Sequence, residues 1–109
     1  MSLIHLVKDD TAPQIKATLT REDTGAVIDL SGATTKMYFR AKGGTSILLT
    51  LTAASVGSDA AAGIAIFTFS SGQLNLSAGF YEGEIEVTHS DGRIETIFEV
   101  LNFKLRSDF

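Results

Sequence analysis

Ser77-Ala78-Gly79-Phe80-Tyr81-Glu82-Gly83-Glu84-Ile85-Glu86-Val87 is the stretch that decides how this chain folds. Tyr81, Gly83, Ile85 and Val87 alternate with Glu82, Glu84 and Glu86, the period of a strand with one dry face and one wet face. Gly79, Tyr81 and Gly83 also have the spacing of a tyrosine corner. In that motif a Tyr near the start of a late strand sends its hydroxyl back to the backbone a few residues upstream, as in immunoglobulin-like sandwiches. The alternative is an ordinary loop that leads into a strand with a Tyr in the core. The Cys and the Trp that accompany the corner in antibody domains are both absent.

Outward from this stretch the chain reads as strands separated by Gly, Asp and Ser. Downstream, Arg93 to Leu105 is a long candidate, joined to Phe80–His89 through Ser90-Asp91-Gly92. Upstream, Pro13, Ile15, Ala17 and Leu19 alternate with Gln14, Lys16, Thr18 and Thr20, and Glu22-Asp23-Thr24-Gly25 ends that run. Ala26–Leu30, Thr35–Lys42, Ser46–Leu51, Ile64–Phe69 and Leu74–Ser77 supply the remaining candidates, with Gly43-Gly44 as a tight-hairpin signal. Ala53 to Ala62 contains Gly57 and Ser58, lacks long apolar side chains and reads as a loop. Roughly seven strands with closely spaced turns predict an all-β, antiparallel immunoglobulin-like β-sandwich. Residues 1–109 form a single domain, since 109 residues leave no room for a second core.

The last hairpin predicts surfaces. A two-residue Asp91-Gly92 turn pairs Tyr81 with Asn102, Gly83 with Val100, Ile85 with Phe98 and Val87 with Thr96, a plausible core face. The opposite face then pairs Glu84 with Glu99 and carries an apolar row of Ile97, Leu101, Phe103 and Leu105. Like charges side by side are mildly destabilising, and an apolar row on a wet face needs a cover. Either the segment Ile4–Val7 or a neighbouring strand covers it, or the row is a protein–protein interface with Glu84 and Glu99 meeting basic groups on a second copy or another protein. A shift of one residue exchanges the two faces, so a different turn length undoes this assignment.

Composition narrows the function. A net charge of -4 argues against a nucleic-acid partner, and no run of apolar residues is long enough for membrane insertion. Zero cysteines exclude disulfides, thiolate zinc sites and cysteine nucleophiles. His5 and His89 have no paired ligand at metal spacing and read as surface histidines. Asp9-Asp10 and Ser90-Asp91 lack the calcium-loop pattern and read as turns or caps. Ser70-Ser71-Gly72 and Lys42-Gly43-Gly44 lack the helix of a phosphate cradle. The expectation is a protein that is not an enzyme and carries no cofactor.

One resemblance covers nearly the whole chain. Ile4-His5-Leu6-Val7-Lys8-Asp9-Asp10-Thr11-Ala12-Pro13, then Ile28-Asp29-Leu30-Ser31-Gly32-Ala33, resemble the leader and the x-D-L-S/T-G-A segment of the N-terminal domain of phage baseplate upper proteins. Gly79, Tyr81, Glu84 and Ile85 match a later G-x-Y-x-x-E-I/V segment, and Asp91-Gly92 with Glu95-Thr96-Ile97-Phe98 match its final turn and strand. The resemblance implies an immunoglobulin-like sandwich in a phage or prophage tail, made in the bacterial cytoplasm and assembled into the virion. Its partners would be other tail or baseplate proteins, with a homo-oligomer as one form of that assembly. The family's long members continue into a helical stalk and distal domains that this sequence does not show, so the resemblance implies the fold more than the receptor-linking role. A carbohydrate-binding or adhesin module is the rival reading; such modules usually present Trp, which is absent here.

Overall fold

The computed structural model describes residues 3–54, 58–97 and 100–107. Its strands are β1 (Leu3–Val7), β2 (Gln14–Thr18), β3 (Thr34–Ala41), β4 (Leu49–Thr52), β5 (Ile64–Thr68), β6 (Gly79–Thr88), β7 (Ile94–Thr96) and β8 (Leu101–Arg106). One short helix, α1 (Ser58–Ala61), lies in the stretch read as a loop. The larger sheet runs β1-β8-β6-β3-β4, with β7 also on β6, and β2 pairs with β5 in a second sheet packed across it. All pairings are antiparallel except β1 on β8. This is an all-β, immunoglobulin-like sandwich.

Two of the predicted strands take other forms. Ala26–Leu30 contributes only a bridge, Thr20 to Val27, with Leu30 N–H bonded to the Ala60 carbonyl at 2.8 Å. Leu74–Ser77 is irregular, yet Leu74 is fully buried. The Gly43-Gly44 turn forms, with Gly44 N–H donating to Ala41 O at 2.8 Å. β4 nevertheless begins five residues later, so the hairpin does not close on that turn.

The last hairpin corrects the predicted register. Gly92 N–H donates to His89 O at 2.9 Å, and His89 N–H to Arg93 O at 2.8 Å, so the loop is Ser90-Asp91-Gly92. Gly92 sits at φ 90°, the left-handed residue that a three-residue hairpin loop needs after its type I turn. The Asp91 carboxylate accepts from Arg93 N–H at 3.0 Å and Arg93 Nε at 2.7 Å, which holds the turn. The additional loop residue pairs Val87 with Glu95 and Glu86 with Thr96, one residue away from the expected register. That single step reverses the faces.

From β7 to β8 the pairing along β6 shifts by two residues. Ile97 N–H bonds Ile85 O, whereas Leu101 pairs with Gly83, so four residue steps on one strand face two on the other. The difference is even, and the odd-numbered residues stay on the core side from β7 into β8. Phe103 and Leu105 are therefore 0% and 1% exposed, opposite Tyr81 and Gly79. Ile97 and Leu101 pack against the same core and are partly buried. The expectation of a wet apolar row is overturned for Phe103 and Leu105. The N-terminal segment does not lie over the row either: β1 extends the sheet beside β8. Phe98 and Glu99, and with them the expected pairs Glu84–Glu99 and Ile85–Phe98, fall outside the described residues.

The centre of the core is aromatic. Phe39 stacks on Tyr81 at 5.2 Å between centroids and meets Phe103 at 5.0 Å. Gly83 is required here, because a Cβ on it would lie 2.5 Å from Met37 Sδ and 3.1 Å from the Phe103 ring. Gly79 opens β6, and the buried Tyr81 donates its hydroxyl to the Ser77 carbonyl, as the corner spacing predicted. Replacing Tyr81 by Phe removes that bond and keeps the ring, so Tyr81→Phe is expected to cost on the order of 1 kcal/mol. Phe103→Ala empties a sealed site and is expected to cost about 3–5 kcal/mol. Urea titration of both variants checks the order; equal losses would contradict it.

Candidate functional site

Three places carry chemistry or recognisable surface. The first is a cross-sheet clasp. Arg21, just beyond β2, reaches Glu95 on β7 at 2.8 Å, and the same Glu95 oxygen lies 2.6 Å from His89 Nε2. An ionised carboxylate only accepts, so His89 Nε2 carries the proton in that bond. The Arg21 hydrogen bond, followed by that of His89, holds the Glu95 carboxyl below its ordinary value against the opposing effect of burial. The His89 side chain is only 13% exposed, so the surface role expected for it is corrected: it is a clasp residue. Seventy-four positions separate Arg21 from Glu95, and no local pattern could have announced the pair.

The second place is a seam beside β2. Ala17, Leu19, Ile85, Ile97 and Leu101 line a groove of about 240 Å³, with Thr18, Thr20 and Glu22 on its rim. It continues past Thr20 and Ile97 towards Asp23 and the clasp. Here the structure brings together two of the predicted interface residues, Ile97 and Leu101, without Phe103 and Leu105.

The third place is the outer face of the larger sheet, where Glu84 lies. Register sets Glu82 opposite Arg40, Glu84 opposite Tyr38 and Glu86 opposite Lys36. Arg40 Nε donates to Glu82 at 3.0 Å and the Tyr38 hydroxyl to Glu86 at 3.1 Å. Partial burial, then the Glu86 carboxylate, raise the Tyr38 phenol above its ordinary value, so it stays a donor. Tyr38, Arg40, Thr45, Ile47, Glu84 and Glu86 surround a shallow concavity. Beside it Ile47, Leu48 and Phe80 are 57%, 45% and 51% exposed, and Lys104 Nζ sits 5.6 Å over the Phe80 ring. These three were missed. The signal was available for Phe80, whose even number sets it on the glutamate side of β6.

The remaining motifs are structural. Asp29 accepts from Ser31 N–H at 2.9 Å, and Ile28 and Leu30 on either side of it are buried, so the Asp29-Leu30-Ser31-Gly32 segment is an anchored turn. Among the described residues no group of three His, Cys, Asp or Glu is placed to hold a metal ion, and no helix is long and apolar enough to cross a membrane.

Two packed sheets and a buried corner define the chain as an immunoglobulin-like β-sandwich. A solved structure similar to it is that of CopC from Methylosinus trichosporium OB3b, with a TM-score of 0.54 and 12% identity, covering 100% of this chain and 88% of that one. At that identity the likeness speaks for the fold alone. Comparisons with protein families and with curated proteins gave no match.

The clasp makes a pH prediction. A lowered carboxyl stabilises the fold fully above its unfolded pKa of about 4.3 and loses that contribution as pH falls through the lower folded value. Glu95→Gln is therefore expected to melt below the wild type near neutral pH, with the gap closing on acidification to about pH 3. Thermal midpoints at both pH values test it; a gap of constant size would mean that the charge of Glu95 is not what stabilises.

Proposed function

We propose that this chain is a non-enzymatic structural protein of a phage or prophage tail, which docks onto other tail or baseplate subunits in the virion. The observation that carries the docking reading is the exposure of three large apolar side chains, Ile47 beside Arg40, Leu48 next to it in the chain, and Phe80 under Lys104. Apolar and aromatic anchors beside an Arg, rimmed by charge, have the make-up of a contact surface. One ion pair, Arg40 to Glu82, and one hydrogen bond, Tyr38 to Glu86, tie β3 to β6 on that face, so little order is lost on docking. The baseplate resemblance supplies the tail setting, and the sequence segments that carry it lie in the corner, the anchored turn and the last hairpin.

A carbohydrate-binding or adhesin role is the second reading. It is favoured by the concavity beside Tyr38, where a phenol ring, Arg40 and the carboxylates of Glu84 and Glu86 converge.

One pair of variants separates the two. Phe80→Asp with Ile47→Asp is expected to keep the wild-type melting temperature, because both side chains are exposed, and to lose incorporation into tails when expressed in the lysogenic host. Immunogold labelling of induced particles reads the outcome. Unlabelled wild-type particles, together with glycan-array binding that Tyr38→Ala abolishes, would move the assignment to the second reading.

A further inference from the structure

The smaller sheet is too narrow for the one it covers. β2 and β5 lie across a sheet of six strands, and beside β2 the core residues Ile85, Ile97 and Leu101 reach the groove. The backbone of β2 is itself half-used. Leu19 N–H bonds Gly63 O and Leu19 O accepts from Ile28 N–H, on the side of β5. Antiparallel strands alternate the direction of their backbone groups. Lys16, Thr18 and Thr20 therefore aim theirs away from β5, along an edge that no other described strand occupies.

We infer that this edge receives one extended segment of a partner chain, which joins the smaller sheet beside β2 and closes the seam. Two features select an extended peptide over a helix. A row of outward N–H and C=O groups at alternate residues is matched only by another strand. A strand set next to β2 also stands above Ile85, Ile97 and Leu101, at the usual separation of about 10 Å between packed sheets. Its inward side chains, at every second position, would fill the groove of about 240 Å³.

Antiparallel pairing, the slightly more stable kind, and the charges at the two ends of the edge together set the polarity. Lys16 is exposed near the start of β2, while Glu22 and Asp23 are exposed beyond its end and form no ion pair among the described residues. Arg21 between them is already engaged by Glu95. An antiparallel segment with a basic residue at its N-terminal end and an acidic one at its C-terminal end meets both. The partner is thus a segment of about seven residues, basic first, β-branched at alternate positions and acidic last. This inference stands apart from the tail assignment, since it uses a different face of the sandwich.

The test uses the whole chain and the capped peptide Arg-Val-Thr-Ile-Thr-Val-Glu at millimolar concentration. Amide exchange is expected to slow by about tenfold or more at Lys16, Thr18 and Thr20, and at few other positions. The reversed-charge peptide Glu-Val-Thr-Ile-Thr-Val-Arg is expected to protect less, and Glu22→Lys with Asp23→Lys to invert that preference. A peptide N-methylated at either Thr, the positions whose N–H groups face β2, is expected to lose protection while keeping its apolar side chains. No protection by the first peptide, or equal protection by the N-methylated one, overturns the inference. Protection that grows with protein concentration alone also overturns it, because the occupant would then be a second copy.

Discussion

A glycine at φ 90° governs which side of this protein is dry. Because Gly92 accepts the left-handed conformation, the loop between β6 and β7 has three residues, and the strands close on His89 and Arg93. With two residues in the loop, side-chain parity would reverse along the whole returning strand. Burying a large apolar side chain is worth about 1.5–3 kcal/mol. Turning Phe103 and Leu105 into water would thus forfeit several times the cost of any local turn preference. Turn and core agree, and their agreement fixes the register.

The two-residue offset in pairing between Ile97 and Leu101 obeys the same constraint. It adds an even number of residues, so β8 resumes with Leu101, Phe103 and Leu105 still inward. Along β6, the pairing with β7 gives way to that with β8 between Ile85 and Gly83. Ile97 and Leu101 flank that place and are partly buried, facing a sheet of two strands among the described residues. The seam is the geometric remainder of a six-stranded sheet under a two-stranded one.

Electrostatics act on both sides of the sandwich. On the outer face the three glutamates of β6 lie among cations and a phenol on β3, which makes an acidic strand compatible with its neighbours. At the edge, Glu95 ties β7 to the chain beyond β2 through Arg21 and engages His89 on its own hairpin. One carboxylate thereby links the two layers beside their open seam.

The amino-acid sequence was sufficient for the class of fold and for its corner. Alternation along Tyr81–Val87 and the spacing of Gly79, Tyr81 and Gly83 are local properties, and the backbone expresses them wherever the segment lies. The anchored turn at Asp29 is local in the same way, since its acceptor and its donor are two residues apart. The face of the last strand was not legible, because it depends on whether a loop has two residues or three, and Asp91-Gly92 suits either. Nor were the partners of Arg21, Glu95 and His89, or the meeting of Ala17 with Ile97 and Leu101 along one seam. Those residues are brought together by the packing of two sheets, and pairwise proximity across dozens of residues leaves no periodic trace in a chain read one segment at a time.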